Sequence, residues 1–230
     1  MLRLQNVTVI YPDKTKAIDN LSLGLCEGEN IALIGENGAG KTSLLLAIVG
    51  ILELSGGTVE TGETKLSKKT AGEIQKQIGM VFQNPDDQLF MPLIYDDVAF
   101  GCRNLGLPEP QIRSRVEETL GQLGIGHLCN RSCLKLSGGE KRMAAIATVL
   151  VMEPSVLMFD EPTAYLDPKA KRALAKTLNK LPHPKIIATH DMAFAADVCN
   201  RVVILQNGRI VADGNMSLLH DRELMQNCGL

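Results

Sequence analysis

No stretch of this 230-residue chain stays apolar for long, neither sign of charge dominates it, and no paired-cysteine knuckle interrupts it. The longest apolar runs, LLLAIVGIL and MAAIATVLVM, reach about half of the ~20 residues that a membrane-spanning helix needs. The opening MLRLQNVTVI sets polar residues at every second position, so it does not read as a secretion signal. Lysine and arginine number 24 against 26 acidic residues, a formal net charge of -2, which leaves out the basic footprint of a nucleic-acid binder. Six cysteines without C-x2-C pairs read as reduced thiols, and His127, Cys129 and Cys133 lack the spacing of a structural zinc site. No low-complexity tract or long repeat is present. The expectation is a soluble, cytoplasmic chain that serves a membrane, if at all, through a partner.

Hydrophobic residues make up 45% of the chain and charged residues 22%, as in ordinary globular domains, and the length suits one large domain or a core with a subdomain. The alternating segments RLQNVTVIY and AIDNLSLGL read as half-buried antiparallel strands. NIALIG is a short strand, solidly apolar after its asparagine, followed by a glycine-rich turn and the helix KTSLLLAIVG, the opening of a parallel α/β sheet. KQIGMVFQ, SVLMFDE and KIIATH are further short apolar strands. RVVILQNGRIVADG reads as a hairpin around Asn207-Gly208, and DPKAKRALAKTLNKL as a helix with Asp167 as N-cap and Pro168 at its first position. Four apolar strands thus end in a polar residue suited to nucleotide chemistry: Gly35, Gln83, Asp160 with Glu161, and His190. Ligands of open α/β sheets bind beyond the carboxyl ends of the strands.

GENGAGKT, from Gly35 to Thr42, fits the phosphate-loop pattern G-x-x-x-x-G-K-[ST] in its required place between strand and helix. The run Gly35, Glu36, Asn37, Gly38, Ala39, Gly40 folds tightly enough for its amides to face phosphate oxygens. Lys41 reaches the β- and γ-phosphates, the hydroxyl of Thr42 suits Mg²⁺, and Ser43, next on the helix, is expected among the nucleotide-binding residues. Asp160, ending its strand, suits the same Mg²⁺ through water. Glu161 beside it suits a base that orients the attacking water.

The tetrapeptide LSGG occurs twice. Leu54–Gly57 runs into Thr58-Val59-Glu60, a strand start, and reads as a chain reversal. Leu136–Gly139 runs into Glu140 and a helix, with Ser137 as N-cap and Glu140 three residues on, a capping-box pattern whose glycine amides and hydroxyl suit an anion. Gly35–Thr42 already serves every phosphate of one ATP, so a second phosphate reader points to a nucleotide held by a second chain.

With these motifs in hand, essentially the whole chain resembles the ATP-binding cassette (ABC) ATPases. The resemblance implies an α/β P-loop NTPase (RecA-like) core with an N-terminal antiparallel β subdomain, over 1–83 and 150–230, and an inserted α-helical subdomain over 84–149. It implies ATP and Mg²⁺ as ligands, and a homodimer or heterodimer in which Leu136, Ser137, Gly138, Gly139 and Glu140 of one subunit close over the ATP of the other. Gln83 matches the glutamine that contacts Mg²⁺ and links core to subdomain, and His190 the histidine that donates to the γ-phosphate. Tyr11 matches an aromatic that stacks on adenine. AYLD, Ala164 to Asp167, matches the loop at the dimer contact, with Tyr165 where a small residue or histidine is commoner. FQNPDDQLF and PLIYDDVAFG resemble the ATPases of energy-coupling-factor importers, above all the cobalt, nickel and biotin branches; the ATPase of a different ABC transporter and a soluble ABC ATPase outside transport stand as alternatives. There Asp86, Asp87 and Gln88 are expected to meet an integral membrane coupling protein, which works with a substrate-binding membrane subunit. The implied location is the cytoplasmic face of the cell membrane, as a peripheral protein with no nucleic-acid partner.

Overall fold

The computed structural model describes residues 1–230. Its strands are β1 (Leu2–Ile10), β2 (Lys16–Leu25), β3 (Asn30–Ile34), β4 (Gly56–Thr61), β5 (Thr64–Lys65), β6 (Ile78–Val81), β7 (Val156–Asp160), β8 (Lys185–Ala188), β9 (Arg201–Gln206) and β10 (Arg209–Gly214). The α-helices are α1 (Lys41–Ile48), α2 (Ala71–Gln77), α3 (Ile94–Asn104), α4 (Glu109–Gln122), α5 (Gly138–Leu150), α6 (Pro168–Lys180), α7 (Met192–Val198) and α8 (Arg222–Asn227). No helix is long and apolar enough to cross a membrane.

The chain forms two compact units. The first comprises Met1–Met80, Ser155–Glu161 and Pro182–Leu230. It carries the antiparallel sheet β2-β1-β4-β5 and the six-stranded sheet ordered β10-β9-β3-β8-β7-β6, whose last strand runs one residue past the unit. β1 alternates inward and outward through Leu2 and Leu4, shifts register between Leu4 and Val7, and then alternates again, so that Leu2, Leu4, Val7 and Val9 all face the core. Asn6, at that shift, takes a φ of 50°, which asparagine tolerates better than a branched residue. β3, β7 and β8 are buried nearly throughout, as parallel strands covered on both faces must be. The core gathers these strands with α1, through Ile31, Leu33, Leu44, Leu45, Ile48, Met158 and Ile186.

Parallel pairing of β3 with β8, β7 with β8 and β3 with β9 brings Ile34, Asp160 and Ala188 to one rim of the sheet. Three of the four expected polar strand ends, Gly35, Asp160-Glu161 and His190, therefore share that rim. The expected hairpin forms between β9 and β10, with φ of 49° at Asn207 and 74° at Gly208.

The second unit comprises Val81–Pro154 and Pro162–Leu181 and is helical. Its boundaries differ from the 84–149 expected. It begins at Val81, because Arg142 of α5 holds the carbonyls of Phe82 and Gln83, and so Gln83 travels with this unit. It also takes in α6, whose Ala170, Ala173 and Leu174 line a small cavity with Ile125, Gly139 and Met143. α6 starts as its sequence dictates, with Asp167 Oδ1 accepting from the Ala170 amide and Pro168 at the first position.

Candidate active site

The site of the first unit starts at the end of β3. Gly38 (φ 86°) and Gly40 (φ 106°) adopt left-handed backbone, and a side chain at Gly40 would lie 2.5 Å from the Ala17 carbonyl, so only glycine closes this loop. α1 begins directly after it with no side-chain cap, which leaves first-turn amides and the positive end of the helix facing the loop. The Lys41 ammonium is folded onto the loop and donates to the carbonyls of Gly35 (2.6 Å) and Glu36 (3.1 Å). Burial pushes its pKa below the ordinary lysine value, against the pull of Glu161 and Asp160. A buried cation beside left-handed glycines and an uncapped helix end fits a polyphosphate.

Thr42 Oγ1 donates to Asp160 Oδ2 at 2.7 Å. A hydroxyl and a carboxylate at that separation are the hard oxygen donors Mg²⁺ takes, so the residues fit the ion the motif implies. Glu161 follows, with a φ of 42° that turns its side chain at the strand end; its amide donates to the Ala188 carbonyl at 2.8 Å. Its carboxylate is 9% exposed, and Oε2 meets His190 Nδ1 at 2.9 Å, while the imidazole is 67% exposed. Thus a sheltered carboxylate is paired with an imidazole that reaches outward. Tyr11 shares a 2.9 Å hydrogen bond between its hydroxyl and Ser43 Oγ, which ties the ring to the first turn of α1.

In the second unit, Ser137 caps α5 with a complete capping box. The Glu140 carboxylate accepts from the Ser137 amide (2.8 Å) and hydroxyl (2.7 Å), and these bonds hold it below the usual carboxylate range. Leu136 precedes the cap and is buried, whereas Gly138 and Gly139 present their backbone on an exposed or half-exposed surface. The first LSGG copy opens β4 and has no such cap.

Sequence comparison places the geometry in a family. A family model described as "ABC transporter" matches residues 18–164. The chain belongs to the ABC transporter ATPases. The energy-coupling factor transporter ATP-binding protein EcfA of Carboxydothermus hydrogenoformans is 42% identical over 232 residues, covering 100% of this chain and 86% of that protein. The structure of cbiO1 from Clostridium perfringens, part of the ABC transporter complex cbiONQ, matches with a TM-score of 0.87 and 38% identity over 98% of this chain and 92% of the other. The dimeric, post-hydrolysis ATP-binding cassette MJ0796 bound to ADP and Pi matches with a TM-score of 0.83 and 26% identity over 94% and 99%.

As an ABC ATPase the chain is an ATP-hydrolysing transporter subunit of a family that works as dimers with membrane subunits. Its first unit gathers Tyr11, Gly35–Ser43, Asp160, Glu161 and His190; its second unit gathers Gln83, the segment Asp86–Gln88 and Leu136–Glu140. Gln83 is exposed, as are Asp86 and Asp87 on a single 3-10 turn, Pro85–Asp87. Asp86 Oδ1 is bound to Lys141 Nζ at 2.6 Å, so Asp87 is the less committed carboxylate. Gln88 turns inward: its amide nitrogen donates to the Ala145 carbonyl and Thr148 Oγ1, both at 2.8 Å, and its oxygen accepts from the Phe82 amide. Tyr165 has a φ of 62° and a side chain 91% exposed. Sequence reasoning missed Arg142 and Asp97. Asp97, 3% exposed, accepts from the amides of Phe90 and Met91 (2.9 Å each), and burial pushes its carboxyl above the ordinary range. The one available signal for each was a charge set on an otherwise apolar helix face.

Proposed function

We propose that this ABC ATPase is the ATP-binding and hydrolysing subunit of an energy-coupling-factor importer for a micronutrient, a transition-metal ion such as cobalt or nickel or a vitamin such as biotin. The observation that carries the reading is the surface of the segment after Gln83. Asp86 and Asp87 stand exposed on one turn, and three residues further along the chain Phe90 (61% exposed) packs edge-on against Phe100 with ring centroids 5.1 Å apart. Exposed carboxylates flanking exposed aromatic rings suit a helix that carries arginines on a partly apolar face. The likeness to EcfA and to cbiO1 supports the same direction.

In this reading two ATPase chains, identical or paired with a relative, face each other. Lys41 and the loop amides bind the phosphates of one ATP, and Ser137, Gly138 and Gly139 of the other chain close over the same γ-phosphate. Thr42 and Asp160 would hold Mg²⁺, which when bound would neutralise phosphate charge. Glu161 accepts the proton of the attacking water; His190 orients that carboxylate through Nδ1 and, with both ring nitrogens protonated, donates through Nε2 toward the γ-phosphate. Tyr11 stacks on the base. Loss of the γ-phosphate removes what the two chains share, and the pair opens. Asp86 and Asp87 deliver that motion to an integral membrane coupling protein on the cytoplasmic side, beside a substrate-binding membrane subunit.

The test is affinity purification of the tagged chain from gently solubilised native membranes, with Asp87→Lys as control. An integral membrane protein that co-purifies with the wild type and is lost in the variant supports the importer reading, and its substrate-binding companion identifies the cargo. A membrane partner indifferent to Asp87→Lys means a different ABC transporter, and only non-membrane partners mean an ABC ATPase outside transport.

A further inference from the structure

The segment that carries Gln83 is fastened along one stripe to α5, the signature helix, which opens with the signature Leu136–Glu140. Lys141 holds Asp86 at 2.6 Å, and the Ala145 carbonyl and Thr148 hydroxyl hold the Gln88 amide at 2.8 Å. Positions 141, 145 and 148 repeat at the spacing of one helical face. Between them Arg142, 1% exposed, sends Nη1 to the Phe82 carbonyl and Nη2 to the Gln83 carbonyl, each at 2.6 Å. Packing alone does not require arginine there, since burying a guanidinium is costly unless its donors are used. A planar fork on two consecutive carbonyls fixes the direction of the backbone from which the Gln83 side chain leaves. The same helix begins, one turn earlier, with Ser137–Gly139.

We propose that Arg142 is a positioning residue for ATP hydrolysis, which locks the Gln83 segment to the signature helix so that Gln83 and Ser137–Gly139 move as one body. The fork supplies no group to the reacting atoms. It acts by making displacement at one motif a displacement at the other, so closure over the partner's γ-phosphate and engagement of Gln83 become a single event. This rests on the reading in which the signature serves the nucleotide of the second chain.

The test compares wild type, Arg142→Met, which keeps the volume, and Arg142→Lys, which keeps the charge but cannot hold both carbonyls, in the assembled complex. Misplacement on the scale of an ångström costs up to ~10²-fold in rate, so kcat of the Met variant is expected to fall about 10- to 10²-fold. KM for ATP and nucleotide binding at Gly35–Thr42, in the other unit, stay within about twofold of wild type, because no uniform binding contact is lost. Arg142→Lys recovers part of the loss. Ser137→Ala is the control for the underlying reading. If it leaves ATP-dependent dimerisation and turnover intact, the signature reading fails and the proposal with it. If Ser137→Ala abolishes both while Arg142→Met turns over like wild type, or loses melting temperature and KM with kcat kept, the positioning role alone is overturned. Should the Met variant fail to fold, full wild-type kcat in Arg142→Lys overturns the role by itself, and a reduced kcat with unchanged KM supports it.

Discussion

Glu161 Oε2 and His190 Nδ1 stand 2.9 Å apart, the one carboxylate oxygen also accepting from the His190 amide at 3.3 Å. Two bonds from a single residue orient the carboxylate, and the left-handed backbone at Glu161, a strain of about 1–3 kcal/mol for such a residue, aims it off the end of β7. In the proposed role of base, Glu161 performs its task only as a carboxylate. Glu161→Gln is expected to lower turnover by ~10²–10⁴-fold while ATP affinity stays at the wild-type level. Phosphate release and equilibrium nucleotide binding measure the two sides. A variant within tenfold of wild-type turnover contradicts the assignment.

The Thr42–Asp160 pair predicts a separable effect. Thr42→Val keeps shape and removes the hydroxyl; a hydrogen bond to a charged group is worth about 1.5–3 kcal/mol, or roughly 10- to 10²-fold. Affinity for ATP measured with Mg²⁺ should fall by that factor, whereas affinity measured in excess chelator should not change. Equal losses in both conditions contradict a metal role for this hydroxyl.

Much of this was legible because the decisive signals are local. The tight loop before α1 needs glycines at fixed offsets from Lys41; the capping box needs Ser137 and Glu140 three apart; the β9–β10 turn needs Asn207-Gly208. The strands β3, β7 and β8 announce themselves by apolar runs broken only at one end, by Asn30, Asp160 and Lys185. α2 escaped notice because seven residues with Gly72 inside and only Ile74 buried offer no period to read. The unit boundary at Val81 and the inward turn of Gln88 were not legible, since both depend on α5, some sixty residues away in the chain, at Arg142, Ala145 and Thr148.

The two LSGG copies predict opposite phenotypes. A side chain at Gly57 (φ 83°) would sit 2.3 Å from the Asn6 carbonyl, in a backbone conformation that itself costs about 1–2 kcal/mol for a non-glycine residue. Gly57→Ala should therefore lower unfolding stability by more than ~2 kcal/mol in urea titration, with nucleotide affinity of the folded protein unchanged. Ser137→Ala should leave nucleotide affinity of the isolated chain unchanged and remove ATP-dependent association. If Gly57→Ala instead weakens ATP binding at full stability, the first copy is more than a reversal.

His183 gives the stability a pH dependence of known sign. Burial, with Lys185 nearby, pushes its pKa below the ordinary 6.5. The unfolded chain then binds a proton that the folded chain refuses, so stability rises with pH across this interval. It is complete above 6.5 and is lost progressively as pH falls from there toward the folded-state value. Urea midpoints over about one pH unit below 6.5 should show this slope, and His183→Gln should flatten it. A slope unchanged by the substitution assigns the loss to other groups.

If the signature of one chain closes over the ATP of another, the mass of the nucleotide-bound particle doubles. Glu161→Gln with saturating Mg²⁺ and ATP, followed by light scattering, should give a dimer that returns to monomer when the nucleotide is removed. Adding Ser137→Ala to the same chain should leave it monomeric with ATP still bound. A monomer under saturating ATP in the first variant, or a dimer indifferent to Ser137→Ala in the second, would rule out closure of one chain's signature over the other chain's ATP.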